Sequence, residues 1–303
     1  MTLAMSCGVC TGKSANSQHP PATSEAVEGF SPEAALAEEL SLEDVEIFPV
    51  DERMFIREGL EDVTNRYSFT VMLTATIAEG ETRRCSGTVV APRVVLTAAH
   101  CVCIRRRTGS PHPGLNCAER ATVTAAFYDS SKEVIENLVG GRYEDYEGTV
   151  RAHPGFTGLA NIQEAGSTSP DLAVVMLDQP VTSWIRPVRL ALDEPKPGEL
   201  ITIVGYGQDE TSDLTFGFRR FGRKKLMALR QGQGILEQQG LVALSSEGGA
   251  SCLLEANQEA MLIGLISVYS DETPTFTRVY QYRDWLRPEL LQAGSPKKKD
   301  FLP

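Results

Sequence analysis

A histidine closes an apolar strand in this sequence. Val94-Val95-Leu96-Thr97-Ala98-Ala99-His100-Cys101 ends on an imidazole, and a histidine held in a dry site at a strand end can work as a general base. Cys85 and Cys101 bracket the segment, and a bridge between them would staple the loop that carries His100, worth roughly 3 kcal/mol for a loop of about this length. The other cysteines are Cys7, Cys10, Cys103, Cys117 and Cys252. None has zinc spacing with His19, His100, His112 or His153, so no metal is read, and no nucleotide or other cofactor motif is present. Cys7-x-x-Cys10 has the spacing of a redox pair but lacks the βαβ setting such a pair needs.

The elements that must hold this histidine are strands. From Tyr67 onward short β-branched runs alternate with Gly, Pro, Asp and Asn: Phe69–Ile77, Gly87–Leu96, Ala121–Tyr128, Leu172–Leu177, Leu200–Val204, Gly240–Leu244 and Met261–Val268. That profile predicts an antiparallel all-β body, a sandwich or a pair of barrels. Trp285, Leu286, Leu290 and Leu291 recur at helical spacing and predict a C-terminal helix over Tyr282–Ala293. Residues 11–32 have linker composition, and 33–47 have the pattern of a short amphipathic helix.

Charge is unevenly placed. The net charge is −11, and residues 25–62 carry 13 acids against Arg53 and Arg57, so that segment alone accounts for −11. An acidic run of this kind is a solvated segment, and the missing basic excess argues against a nucleic-acid-binding face. No run of about 18 apolar residues occurs, which rules out a membrane-spanning helix in this sequence. Two basic clusters, Arg105-Arg106-Arg107 and Arg219-Arg220 through Arg223-Lys224-Lys225, read as solvated charge. The sharper alternative is that one of them holds the acidic 25–52 segment.

Several segments in order resemble the trypsin-like (S1, chymotrypsin-fold) serine peptidases. Thr97-Ala98-Ala99-His100-Cys101 is similar to the family's catalytic-histidine motif, and Ser169-Pro170-Asp171-Leu172-Ala173-Val174-Val175 to its triad aspartate segment. Val204-Gly205-Tyr206-Gly207 resembles a strand-end motif, and Phe276-Thr277-Arg278-Val279 with Tyr282-Arg283-Asp284-Trp285-Leu286 the final strand and helix. The resemblance implies a double six-stranded antiparallel β-barrel with a C-terminal helix, and serine acyl transfer with His100 as base and Asp171 as its orienting partner. It implies the disulfide Cys85–Cys101; Cys103–Cys117 can close the following loop, and Cys252, on the strand after the active-site loop, is expected to be a buried free thiol. It also implies maturation by a cut before Ile56-Arg57-Glu58-Gly59, with 1–55 a signal, linker and acidic propeptide, 56–293 the peptidase domain and 294–303 a basic tail.

The nucleophile motif departs from the family's Gly-Asp-Ser-Gly-Gly-Pro. The matching stretch is Ser246-Glu247-Gly248-Gly249-Ala250-Ser251, which puts Glu247 at the aspartate and Gly248 at the serine. Glycine has no atom to attack a carbonyl, so a covalent acyl intermediate is lost. Ser246 also stands where the oxyanion loop ordinarily has a glycine. The chain is therefore expected to be a bacterial-type pseudopeptidase, a monomer that binds a protein or peptide ligand. The alternative is an active serine endopeptidase that uses Ser246 or Ser251 in a shifted register. Disulfides imply an oxidising compartment, hence a secreted, periplasmic or envelope-anchored protein. Leu3-Ala4-Met5-Ser6-Cys7 loosely resembles the end of a lipoprotein signal, with Cys7 or Cys10 the candidate lipid anchor and the true start upstream.

Overall fold

A computed structural model describes residues 59–77, 80–105, 114–129, 141–158, 169–206, 218–237, 248–256, 259–267 and 274–293. The 33–47 helix, the Gly240–Leu244 strand and the 294–303 tail of the sequence reading lie outside these residues.

In chain order the strands are β1 (Leu60–Glu61), β2 (Thr70–Thr76), β3 (Thr82–Ala91), β4 (Val94–Thr97), β5 (Cys103–Arg105), β6 (Leu115–Cys117), β7 (Arg120–Tyr128) and β8 (Gly141–Ala152). There follow β9 (Ala173–Leu177), β10 (Arg189–Leu190), β11 (Leu200–Gly205), β12 (Arg220–Arg230), β13 (Gln233–Leu236), β14 (Ser251–Ala256), β15 (Glu259–Ile266) and β16 (Thr275–Arg278), then helix α1 (Arg283–Gln292). The first barrel closes as β2-β3-β4-β9-β8-β7. The second runs β12-β11-β14-β15-β16-β13 and closes through β13 on β12, with β1 added to β12 and β10 to β15. The architecture is two six-stranded antiparallel barrels followed by a helix, as the resemblance implies.

Side-chain alternation fixes which face of each strand turns inward. In β7, Ala121, Val123 and Ala125 are buried between Thr122 and Thr124, and in β2 the inward residues are Val71, Leu73 and Ala75. Full burial of a side chain such as Leu73 contributes roughly 1.5–3 kcal/mol. Leu286 and Leu290, four apart, are the buried face of α1.

Two sequence readings are corrected here. Gly87–Leu96 is not one strand: β3 and β4 are separated by a turn at Pro92-Arg93, because proline has no N–H to give a ladder. The Arg219–Lys225 cluster is not simply solvated charge. It leads into β12: Arg219, just before the strand, is fully buried in an ion pair with Asp62, and Arg220, its first residue, pairs with Glu61. Hydropathy hides this, since a charge is placed inside only when its partner is too.

Candidate active site

β4 delivers His100 into a 3-10 turn, Ala99–Cys101, at the end of the first barrel. Asp171 arrives from the segment just before β9, the strand paired with β4, so two neighbouring strands set the spacing between base and acid. The Asp171 carboxylate is fully buried and grips the histidine twice. Oδ1 accepts the backbone N–H of His100 at 2.8 Å, and Oδ2 stands 2.7 Å from His100 Nδ1. Facing a carboxylate, Nδ1 carries the ring proton, which leaves the lone pair on Nε2. Ser267, just past β15, donates its hydroxyl to Asp171 Oδ2 at 2.6 Å. From the far side Arg83 donates to the His100 carbonyl at 2.7 Å.

The outer nitrogen of this assembly meets Gly248. An ideal Cβ built there would lie 2.7 Å from His100 Cε1 and 2.8 Å from Cys101 Sγ, and would overlap Nε2 more deeply still. Gly248 stands so close that the room a side chain there would need is taken by the His100 ring and the Cys101 sulfur. It is held there, because Ser86 N–H donates to the Gly248 carbonyl at 2.9 Å and Gly249 N–H to the Ile266 carbonyl at 2.9 Å. Gly249 has φ +76°, and any Cβ on it would run into the Ser86 carbonyl and come 2.6 Å from Thr97 Oγ1. Only glycine is compatible with that turn.

The remaining predicted residues divide clearly. Cys85 is bonded to Cys101 and Cys103 to Cys117. Cys85, His100 and Cys101 cluster closely, but with both sulfurs in a disulfide neither is a thiolate that could bind a metal. Cys252 is a buried free thiol whose pKa burial pushes up. Ser251, one alternative nucleophile, is fully buried at the start of β14. Its hydroxyl lies 2.8 Å from Thr70 Oγ1 and 2.6 Å from Thr88 Oγ1. Ser246, Glu247, Ile56, Cys7 and Cys10 lie outside the described residues.

Sequence reasoning passed over Ser267 and Arg83. Ser267 had a signal: it is the first polar residue after Leu262-Ile263-Gly264-Leu265-Ile266, and a hydroxyl at the end of so apolar a strand needs a buried partner. Arg83 had none, because its contact is to a backbone carbonyl.

Compared with known families, residues 56–220 match the Trypsin family model, more than half of the chain. The chain belongs to the trypsin family. The match spans His100 and Asp171 and ends before Gly248. Among curated relatives, phenoloxidase-activating factor 1 of Holotrichia diomphalia is 26% identical over 320 residues, covering 93% of this chain and 80% of that one. The cercarial protease of Schistosoma mansoni is 30% identical over 166 residues, 50% of this chain and 55% of the relative. Both sources are eukaryotes, whereas the sequence reading had expected a bacterial-type member. Among solved structures, HL collagenase aligns with a TM-score of 0.58 at 18% identity, covering 76% of this chain and 96% of its own. The scabies mite inactivated protease paralogue S-I1 aligns at 0.55 and 18%, covering 77% and 99%. At that identity both speak to the trypsin fold alone.

Proposed function

We propose that this trypsin-family chain is a pseudopeptidase, a secreted binding or regulatory protein that keeps the family's base and orienting acid without its nucleophile. One observation carries the reading: the residue facing His100 Nε2 is Gly248, and the room a side chain there would need is taken by the His100 ring and the Cys101 sulfur. A base with nothing to deprotonate cannot open an acyl-transfer cycle. The end of the family match at residue 220, short of the nucleophile stretch, agrees with divergence concentrated there. The ligand class is a protein or peptide, the substrate class of the family. Two disulfides support residence in an oxidising compartment. In this reading 1–55 is a removable acidic extension ending before Ile56, 56–293 is the peptidase-like body and 294–303 a tail.

The rival reading puts the nucleophile at Ser246 or Ser251. The buried Ser251 hydroxyl, enclosed by Thr70 and Thr88, speaks against the second of these. A fluorophosphonate probe, which labels activated serines, decides between the readings. The expected result is no labelling of the mature protein, and stoichiometric adduct at Ser246 or Ser251 would overturn the proposal.

A further inference from the structure

The Cys85–Cys101 bridge lies against the ring of His100, with Cys101 Sγ 3.7 Å from Nε2. One ligand-type atom from each of Cys85, His100 and Cys101 falls within 4.8 Å of the other two, and all three residues are buried. Among the described residues this is the one group of three histidine, cysteine or carboxylate side chains so closely set. While the sulfurs are bonded to each other they hold nothing. Reduced, they become two thiols beside an imidazole.

The spacing then suits a tetrahedral metal. Zinc, with Zn–S of about 2.3 Å and Zn–N of about 2.0–2.1 Å, sets a sulfur and a nitrogen ligand about 3.6 Å apart. Cys101 Sγ and His100 Nε2 already have that separation. The two sulfurs must part to about 3.8 Å, and Cα atoms 6.0 Å apart allow this by side-chain rotation. The imidazole is correctly aimed as well. A zinc-bound histidine gives its other N–H to a carboxylate or carbonyl. Asp171 Oδ2, 2.7 Å from Nδ1, takes that proton and leaves Nε2 on the sulfur side. Thiolate with imidazole favours zinc over hard cations such as magnesium or calcium. Two thiolates cancel the charge of Zn2+, so the buried centre carries no net charge, whereas two bare thiolates in this dry place would be costly.

The ligands keep their places without the bridge. Asp171 also accepts the His100 backbone N–H, Arg83 donates to the His100 carbonyl, and Cys101 N–H donates to the Ala98 carbonyl at 3.1 Å. Cys85 is held opposite Leu73 in the β2–β3 ladder. Gly248 matters here too. A Cβ on it would come 2.8 Å from Cys101 Sγ and overlap Nε2, so a side chain would lie across both ligand atoms, and glycine puts none there.

We propose that Cys85, His100 and Cys101 form a redox-gated zinc site. A dithiol reductant opens it by exchange: the Cys85–Cys101 S–S bond breaks, the reductant's own S–S bond forms, and its two thiol protons pass to the cysteines. Zn2+ then displaces both protons and binds two thiolates and Nε2, with the fourth position left to water or a ligand donor. In an oxidising compartment the bridge keeps the site shut. The site does not rest on the pseudopeptidase reading, and a fluorophosphonate adduct at another residue would leave it standing.

The test uses the full chain, reduced with a phosphine, with Zn2+ added or withheld. Each cysteine is read separately, by alkylation rate and mass spectrometry of its own peptide. The thiolate is the species alkylated and zinc masks it, so Zn2+ is expected to slow reaction at Cys85 and Cys101 together by about tenfold or more. His100→Gln is expected to abolish that protection, and Asp171→Asn to weaken zinc affinity by about 10- to 100-fold through the orienting contact. Equal rates with and without Zn2+ at either cysteine overturn the site. Protection that survives His100→Gln, or is equalled at Cys103 and Cys117, overturns it as well. So does a bridge that opens only when near-ultraviolet circular dichroism shows the fold lost. The zinc comparison is made on native side chains and stands even if a variant does not fold.

Discussion

Gly248 and His100 are in such close contact that glycine is the only residue their present arrangement admits. A Cβ at position 248 would sit 2.7 Å from His100 Cε1 and overlap Nε2, in a turn already fixed by hydrogen bonds to Ser86 and Ile266. Any side chain at position 248 therefore requires the His100 ring, the Cys101 sulfur or the loop itself to shift.

A serine placed at position 248 is therefore not expected to act as a nucleophile. Gly248→Ser must push the imidazole off Asp171 or the loop off Ser86, and forcing extra atoms into a packed site costs typically about 1–3 kcal/mol. The expected outcome is a lower Tm, a weakened His100 Nδ1 proton signal and peptide hydrolysis no faster than the parent's. Robust turnover by Gly248→Ser would mean that the loop opens freely.

Asp171 is the centre of the assembly, and its removal should be felt in stability. Its carboxylate accepts the His100 backbone N–H, the ring Nδ1–H and the Ser267 hydroxyl, all inside the protein. Asp171→Asn offers an amide whose NH2 cannot accept, so at least one buried donor loses its partner at about 1–3 kcal/mol. Ser267→Ala removes one bond of three and should cost about 1 kcal/mol. Denaturant titration of the two variants should rank them in that order. An Asp171→Asn protein as stable as the parent would show that the carboxylate is not what holds the histidine turn.

Ser251 offers a separation of roles. Its hydroxyl bridges Thr70 of β2 and Thr88 of β3, so it joins the second barrel to the first. Ser251→Ala should lower stability by about 1 kcal/mol and leave fluorophosphonate labelling at the parent's level. A labelled parent whose label disappears in Ser251→Ala would assign the serine a chemical role instead.

How much of this was legible in the sequence depends on the kind of signal each element carries. β2, β7, β9 and β11 could be read because their inward residues are apolar. β8 could not: Gly141–Ala152 is polar for most of its length, and it is a strand because both neighbours, β7 and β9, offer it a ladder. The start of β12 was hidden by its charges, since Arg219 just before it and Arg220 at its first position are buried against Asp62 and Glu61, far away in the chain. At the site, His100 and Asp171 sit in recognisable motifs and the structure brings them together. The contact that shapes the reading, Gly248 on Nε2, is a matter of atomic spacing, and a string of residues names the glycine without saying how near it stands.

His153 gives the fold a pH dependence that can be measured. Its ring packs against Tyr282 and Trp285, with centroids 5.3 Å and 4.8 Å away, and Nδ1 accepts the Gly155 N–H at 3.0 Å. Burial holds its pKa below the ordinary histidine value. In the unfolded chain the imidazole takes up a proton as pH falls through about 6.5, while the folded protein still resists it. The unfolded state then binds more protons, so stability decreases as pH drops through that window and is fully present above it. Protonation at Nδ1 would also evict the Gly155 N–H. Carboxylates add their own slope in acid, so the measurement is a difference: Tm from pH 7.5 to pH 5 for the parent and for His153→Gln. The parent should lose more than the variant over that range. Parallel curves would place the acid sensitivity elsewhere in the fold.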